Sequence, residues 1–280
     1  MKNNLFSQSY TLLFEDTGDP TLKSSAELRT IQRNCVARNN PNTFYATVDP
    51  RPEPKVVWSS NTRAHFGPKE FTYSRFFDAI HPFWLPIYVG MVESTYRLVK
   101  PTVNIDGVRE LIMTGNFPLR IENGKYFWYN QVSMAGTFDE KGALVEYFNE
   151  FHRLSEFDRM VPDKPSLTYQ GNTLEAYEVQ FKLDVGPVLE QCLKDHFSPA
   201  SYKILRAYRT LKFEGRGTSR EEVADFLGIN VQALDKGNGR LLSQARLVFP
   251  KAVLTTVCNL ASFLNDTFGM PLKSTSRRTL

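Results

Sequence analysis

Residues 218–246, with the sequence TSREEVADFLGINVQALDKGNGRLLSQAR, constrain the fold more than any other part of this 280-residue chain. Ala224 precedes Gly228 by four positions, and Leu234 follows that glycine by six. Two steeply crossing helices need three residues at these distances: a small residue, a glycine that allows a left-handed turn, and a later apolar residue. The spacing predicts a helix-turn-helix. An ordinary helical hairpin with a glycine turn is the alternative.

Two glycines fall inside the second of these helices. We expect Thr218 and Glu221 to form a capping box at the start of the first helix, and Asn230 to cap the second. Gly237 and Gly239 each cost the second helix about 1 kcal/mol relative to alanine. Because leucines before and after the pair keep helical spacing, we expect one continuous helix with both glycines facing solvent. A helix that breaks at the glycines is the alternative.

Positive charge is concentrated at the C-terminal end of the chain. From Phe197 onward there are 13 Lys/Arg and 6 Asp/Glu residues, whereas the preceding part holds 21 and 24, so a region of charge +7 follows one of charge −3. A basic region of this kind is typical of a module that faces a polyanion such as DNA. A solvated surface that ends in a basic tail is the other interpretation.

Composition and motifs disfavour several functional classes. No apolar run reaches the roughly 18 residues of a membrane span, and the N-terminus lacks a signal-peptide pattern, so we expect a cytoplasmic protein that does not bind membranes. Cys35, Cys192 and Cys258 are widely spaced and odd in number, which favours reduced thiols over a disulfide framework or a zinc site. With no paired carboxylates, metal-ligand cluster or nucleophile motif, we expect no enzyme activity, no catalytic residue and no metal, and we identify no cofactor.

The first 160 residues show strands and helices in an order that predicts an α+β fold. A short amphipathic helix is predicted over 24–37, and β-branched and aromatic runs on either side of PRPE predict a hairpin. A mostly helical stretch, 71–99, precedes three long strands that are separated by the turn sequences ENGK and DEKG. Because the strands pair mostly with sequence neighbours, we expect a five-stranded antiparallel sheet with helices, followed by an all-α domain. A further hairpin is expected around Gly171.

Aromatic residues fill the interior of this sheet region, which allows two interpretations. They can form a packed core without a ligand. A sheet covered by helices on one side can also enclose a cavity for a small molecule. For that second case the predicted ligand-binding residues are Trp58, Phe77, Ile80, Phe117 and Phe127.

Residues 42–155 resemble a PAS domain. The resemblance rests on VVWSSNTRAHFG, on FFDAIHP, on the hairpin ENGKYFWYNQV and on FDEKGALVEYFNEFHRL at the end of the region. It implies a domain that senses a ligand, light or redox state, or that serves to dimerise.

Residues 196–270 resemble LuxR-type C-terminal DNA-binding domains. The segments FSPASYKILRA, REEVADFLGINVQALDKGNGRLLSQAR and VCNLASFLNDTFGM carry this resemblance. It implies that the second helix of the helix-turn-helix reads double-stranded DNA, and a PAS-like domain joined to such a module is found in regulators of Bacteroidetes. The residues predicted to contact DNA are Thr218, Ser219, Arg220, Gln232, Lys236, Asn238 and Arg240.

The reading face departs from the LuxR-type pattern at two positions. Gly237 stands where that family usually has a histidine, and Asp235 places a negative charge where phosphates are expected. These departures support an alternative function, in which the protein acts in signalling and its helix-turn-helix binds a protein partner instead of DNA.

These observations together predict a cytoplasmic one-component transcription regulator that acts as a homodimer. An apolar stripe near the C-terminus is a candidate dimer surface, although it can also pack on its own domain; it consists of Leu254, Val257, Leu260 and Leu264. The predicted parts are an N-terminal helical extension (1–41), a PAS-like sensor (42–155), a connector with a hairpin and a helix (156–195), a LuxR-type domain (196–270) and a basic disordered tail (271–280).

Overall fold

The protein divides into two compact units, which we call the sheet unit and the helical unit. The sheet unit is made of Met1–Phe157 and Pro162–Glu178, and the helical unit of Asp158–Val161 and Val179–Leu280. The structure, a computed structural model, describes residues 26–38, 40–50, 54–102, 111–138, 144–160 and 162–270. The predicted tail 271–280, the DEKG turn and the chain before residue 26 lie outside the described residues.

The α+β prediction for the sheet unit is confirmed, with helices between the second and third strands. Its helices are α1 (Ala26–Arg38), α2 (Arg63–Phe66), α3 (Tyr73–Ala79) and α4 (Leu85–Thr102). Its strands are β1 (Thr43–Asp49), β2 (Lys55–Ser60), β3 (Leu111–Arg120), β4 (Tyr126–Phe138), β5 (Leu144–Glu156), β6 (Ser166–Tyr169) and β7 (Asn172–Thr173).

The strands form one antiparallel sheet in the order β2-β1-β5-β4-β3-β6-β7. The predicted five strands are therefore too few, because the hairpin expected around Gly171 adds β6 and β7 to the edge of β3. Gly171 has a φ of 76°, a conformation that costs little only for glycine. The side chains of Thr114 and Ser166 hydrogen-bond across the new edge at 2.7 Å, and Leu167 is buried.

Aromatic rings cover one face of the sheet. Phe44 on β1 stacks on Phe151 on β5 with ring centroids 4.4 Å apart, and Phe117 on β3 lies beside them. Helix α3 brings Phe76 to within 5.3 Å of the Phe151 ring, and α4 brings Tyr88 to within 4.5 Å of Phe117. We call this the inner face, because α3 and α4 cover it.

Helix α1, which confirms the helix predicted over 24–37, packs on the opposite face of the sheet. Leu28 and Cys35 are buried there with Tyr45 and Phe148. Trp58 is partly buried against the same cluster. The sheet is thus covered on both faces, by α3 and α4 on one and by α1 on the other.

The helical unit confirms the all-α prediction for the C-terminal region. Its elements are α5 (Glu175–His196), whose first residues belong to the sheet unit, α6 (Pro199–Phe213), α7 (Arg220–Leu227), α8 (Val231–Ala245), a 3₁₀ turn (Lys251–Val253) and α9 (Val257–Phe268). Among the residues that the structure describes, no helix is long and apolar enough to span a bilayer.

The apolar stripe near the C-terminus packs within its own unit. Leu254, Val257, Leu260 and Leu264 are all buried, and α9 packs against α6. The interpretation of this stripe as a dimer surface is therefore wrong, because its apolar area is already covered inside the helical unit.

A fully buried arginine joins three helices of the helical unit. Arg209 on α6 forms an ion pair with Glu190 on α5, and its Nε donates to Oδ1 of Asn265 on α9 at 2.9 Å. A further guanidinium nitrogen donates to the carbonyl of Gly269 at 2.8 Å. Because each of these acceptors comes from another segment, Arg209 fixes α5, α6 and α9 relative to one another.

Candidate functional site

The first helix of the helix-turn-helix begins one residue later than predicted. Ser219 caps α7: its hydroxyl accepts from the backbone N–H of Glu222, and the Glu222 carboxylate accepts from the backbone N–H of Ser219 at 3.0 Å. The predicted capping box of Thr218 and Glu221 is therefore wrong. The hydroxyl of Thr218 instead lies 3.3 Å from the Cys258 sulfur. Hydrogen bonds from Ser219 hold the pKa of Glu222 below its usual value.

The turn between α7 and α8 has the predicted geometry. Gly228 ends α7 in the left-handed conformation, with φ 66° and ψ 36°. The N–H of Ile229 donates to the carbonyl of Ala224 at 3.0 Å, which closes the last turn of α7. Asn230 then caps α8 by accepting from the N–H of Ala233 at 2.8 Å. The prediction of two helices joined by a tight glycine turn is confirmed.

Apolar residues fix α7 and α8 on the rest of the helical unit. Val223 and Ala224 on α7 are buried, as are Leu234 and Leu241 on α8, and both helices pack against α6. Because these residues occupy one side of each helix, the opposite side of α8 is held toward solvent.

Helix α8 runs without interruption through both glycines. It spans Val231–Ala245, and neither Gly237 nor Gly239 has a positive φ. The continuous helix is thus confirmed. Gly237, however, is partly buried against α6, so the expectation that both glycines face solvent is wrong for this one.

Three of the predicted DNA-contacting side chains share the exposed side of α8. Gln232, Lys236 and Arg240 follow one another at four-residue intervals and are all exposed. Residues four apart lie on neighbouring turns of the same helix face. Asn238 points elsewhere: it is partly buried, and its side-chain N–H donates to the Tyr208 hydroxyl on α6 at 3.1 Å.

Asp235 is paired with one of the predicted DNA-contacting residues. Its carboxylate lies 3.2 Å from the guanidinium of Arg220, the first residue of α7. Ser219 and Thr218, also predicted to contact DNA, are occupied by the cap of α7 and by the contact with Cys258. Of the residues predicted to contact DNA, Gln232, Lys236 and Arg240 are thus exposed on α8, and Arg220 is exposed on α7 in an ion pair with Asp235. Helix α7 also exposes the acidic residues Glu221, Glu222 and Asp225.

The five predicted ligand-binding residues of the sheet unit are not brought together. Phe117 and Ile80 are buried, and Phe77 packs against Phe76 and Tyr88, all on the side of α3 and α4. Trp58 lies on the other face of the sheet, with α1. The guanidinium of Arg153 lies over the Phe127 ring, 5.5 Å from its centroid.

A buried polar group, which sequence reasoning missed, lies on the inner face of the sheet. The amide nitrogen of Gln131 on β4 donates to Oδ1 of Asn149 on β5 at 2.8 Å and to the Ser133 hydroxyl at 2.9 Å. The Oε1 of Gln131 has no hydrogen-bond partner among the described residues. Burial raises the pKa of the neighbouring Tyr88 well above its usual value.

The alternation of β4 was the signal that could have revealed this group. Tyr129, Gln131 and Ser133 follow one another at two-residue spacing, and Tyr129 is fully buried. Since side chains two apart in a strand share a face, the glutamine and serine had to share the face of the tyrosine.

His65 is a second buried polar residue that sequence reasoning missed. Its Nδ1 lies 2.6 Å from the Tyr129 hydroxyl, and its ring is 5.0 Å from that of Phe44. Burial lowers the pKa of His65 to about 4, and the positive charge of Arg153 contributes. The imidazole is therefore neutral at physiological pH, although a backbone hydrogen bond with Thr43 opposes the lowering of its pKa.

The described residues contain no group of three or more His, Cys, Asp or Glu side chains placed to hold a metal ion.

No protein-family model and no curated protein matches the sequence. Three solved structures show a weak overall likeness. A phage VqmA in complex with DPO is 12% identical, with 91% of this chain and 94% of that chain covered and a TM-score of 0.31. A Vibrio cholerae VqmA–ligand–DNA complex is 14% identical, with 86% and 89% covered and a TM-score of 0.27. Escherichia coli SdiA is 13% identical, with 95% and 98% covered and a TM-score of 0.23. At such scores the likeness establishes no family.

Proposed function

We propose that this protein is a transcription regulator in which a PAS-like sheet unit controls a helix-turn-helix that binds double-stranded DNA. The observation that carries the proposal is the exposed surface of α8, where Gln232, Lys236 and Arg240 lie on one helix face. A helix held by a glycine turn with its polar and basic side toward solvent is the arrangement that enters a major groove. The ion pair with Arg220 offsets the negative charge that Asp235 brings to this surface.

Salt-dependent binding of the full chain to duplex DNA tests this proposal. We expect the chain to bind a fluorescent random-sequence duplex at low salt and to lose affinity as salt rises, because each neutralised phosphate releases counterions. Lys236→Ala is expected to lower the slope of log affinity against log salt by about 1. Lys55→Ala, which removes an equal charge from an exposed position in the sheet unit, is the matched control and is expected to leave the slope unchanged. Absence of binding at low salt would reject DNA as the target.

Exposed apolar side chains support one alternative, a protein partner for the helix-turn-helix. Phe226 on α7 is 44% exposed and Ile229 in the turn is 37% exposed. Arg216 lies over the Phe226 ring at 5.6 Å from its centroid. A full chain that fails to bind duplex DNA at low salt favours this alternative.

For the sheet unit we propose a small organic ligand bound against Gln131. The PAS resemblance supports a sensing role, and the Oε1 of Gln131, buried and without a partner, supplies a hydrogen-bond acceptor inside an aromatic interior. A buried acceptor without a partner carries a desolvation cost that a ligand donor removes. The ligand class that fits is a small ring or amide with one N–H or O–H donor.

Native mass spectrometry of the purified full chain tests the ligand proposal. We expect a bound small-molecule mass that is lost in Gln131→Met, which keeps the side-chain size and removes both polar atoms. Gln232→Met, the same change on the exposed face of α8, is the control and is expected to retain the mass. A parent chain that carries no bound mass would contradict the proposal.

Self-association remains a proposal as well. Val179 and Leu183 are 61% and 51% exposed and lie one turn apart on α5, which supports pairing of two copies through this helix. Light scattering that shows a monomer at high protein concentration would reject it.

A further inference from the structure

The two glycines of α8 face different surroundings. A β-carbon added at Gly237 would overlap the Cδ1 atom of Ile204 on α6. Any larger residue at position 237 therefore requires the end of the Ile204 side chain to move. A β-carbon added at Gly239 would meet no atom within 4 Å, and Gly239 is exposed.

Neither packing nor backbone conformation explains Gly239. Its φ is not positive, so any residue could adopt its backbone geometry. Glycine weakens a helix relative to alanine, because it gains more freedom in the unfolded chain. The helix thus bears a cost at this position, and no contact among the described residues offsets it.

Gly239, which has no side chain, lies in the middle of the exposed polar surface of α8. Lys236 precedes Gly239 by three residues and Ser243 follows it by four, so both occupy the adjacent turns on the same face. Arg240 is the next residue and is also exposed. Helix backbone is therefore accessible at the centre of an α8 surface whose charged residues are Lys236, Arg240 and Asp235, the last of them paired with Arg220.

We propose that Gly239 is where the backbone of α8 comes closest to a DNA duplex. This inference rests on the proposed function. Lys236 and Arg240 on either side draw a phosphate-bearing surface toward the helix, and the missing side chain lets the backbone reach it. Any side chain at position 239 holds the helix farther out and lengthens the contacts of its two cationic neighbours. DNA is the occupant favoured by these positive charges.

The test compares two alanine variants of the full chain in duplex binding and in urea unfolding. Gly239→Ala is expected to unfold at a higher urea concentration than the parent and yet to bind a random-sequence duplex about tenfold more weakly at low salt. The control, Ser243→Ala, also raises helix propensity on the same exposed face. It adds no atom to that face, because serine already has a β-carbon and only its hydroxyl is removed. The fold-loss of affinity in Ser243→Ala is expected to be less than a third of the fold-loss in Gly239→Ala.

The possible outcomes separate this inference from the proposed function. If the parent binds duplex DNA and Gly239→Ala binds equally or more tightly, close approach at Gly239 is wrong while the DNA-binding function stands. If the parent does not bind at low salt, both fail, and a protein becomes the occupant of this face. A lower urea midpoint for Gly239→Ala would also overturn the inference, because the glycine would then have a structural role.

Discussion

Gly237 and Gly239 stand two residues apart in one helix, and only at the first would an alanine β-carbon overlap another side chain, at the Cδ1 end of Ile204. Alanine at Gly237 is expected to destabilise the helical unit by about 1 kcal/mol, because overpacking against Ile204 costs typically about 1–3 kcal/mol and exceeds the 0.4–1 kcal/mol gained by replacing glycine. Urea unfolding followed by circular dichroism measures the change. The double variant with Ile204→Val, which removes the overlapping Cδ1 atom, is expected to recover most of the loss. A more stable Gly237→Ala would contradict this packing.

His65 makes the stability of the sheet unit depend on pH. Its pKa is lowered to about 4 in the folded protein, against about 6.5 in an unfolded chain. As pH falls below 6.5 the unfolded chain binds a proton that the folded protein does not, so stability is complete above about pH 6.5 and is lost progressively toward pH 4. The full loss is about 3 kcal/mol.

Tryptophan fluorescence can isolate this effect, because Trp58, Trp84 and Trp128 all lie in the sheet unit. Urea melts at pH 7 and pH 5 are expected to differ in the parent and to differ much less in His65→Gln. Tyr129→Phe keeps the histidine buried without its hydrogen bond and is expected to retain the pH dependence. Equal pH dependence in His65→Gln and the parent would show that His65 is not the source.

At the scale of elements, the buried pair of Arg209 and Glu190 holds α5 to α6. Arg209→Met is expected to destabilise the helical unit by about 3–5 kcal/mol, because it leaves the Glu190 carboxylate buried without its partner. Replacing both residues, by Met and Leu, removes both charges and is expected to be far less harmful than either single change. Circular dichroism measures the helical transition, and tryptophan fluorescence, which reports the sheet unit, is expected to stay unchanged. Additive losses in the double variant would contradict a coupled pair.

Local signals predicted most elements, and the errors come from contacts with distant parts of the chain. The stretch TSREE contains two overlapping capping boxes, Thr218 with Glu221 and Ser219 with Glu222, and sequence spacing cannot choose between them. The contact of Thr218 with Cys258, forty residues away, accompanies the choice of the second. Gly237 shows the same limit, since its surroundings depend on Ile204 of another helix.

The predicted sites were less accurate than the predicted elements, because a site depends on the face of the helix or strand on which each side chain lies. Trp58 and Phe117 are both large and aromatic, yet they lie on opposite faces of the sheet. Aromatic composition predicted a core without assigning its faces. The exposed residues of α8 were easier to predict, since helical periodicity alone separates Gln232, Lys236 and Arg240 from the buried leucines.

At the scale of the whole molecule, the sheet extends past the end of the predicted sensor. Residues 1–178 are expected to fold with about 3 kcal/mol or more of additional stability relative to 1–163, since the shorter fragment lacks buried Leu167 and Tyr177. The Tyr177 hydroxyl also donates to the Met91 carbonyl at 3.3 Å. Urea melts of the two fragments measure the difference, and Leu167→Ala in 1–178 is expected to reproduce part of it. Equal midpoints would show that β6 contributes nothing.

The domain bounds predicted from the sequence remain predictions, but the seven-stranded sheet shows why they were hard to place. The segment 156–166 is polar and contains two prolines, which is typical of a linker. Pairing of β6 with β3 is a long-range contact, and the composition of the two strands does not predict it.

The Arg209 cluster determines where the helical unit can be joined to a foreign domain. A chimaera that joins a foreign domain at Phe197, where the LuxR-type resemblance starts, would omit Glu190 and leave a guanidinium in the interior without its carboxylate. A fusion that starts at Val179 carries most of α5 along and keeps the cluster whole. The piece that can be transferred is therefore longer than the segment 197–270, by nearly the full length of the helix that precedes it.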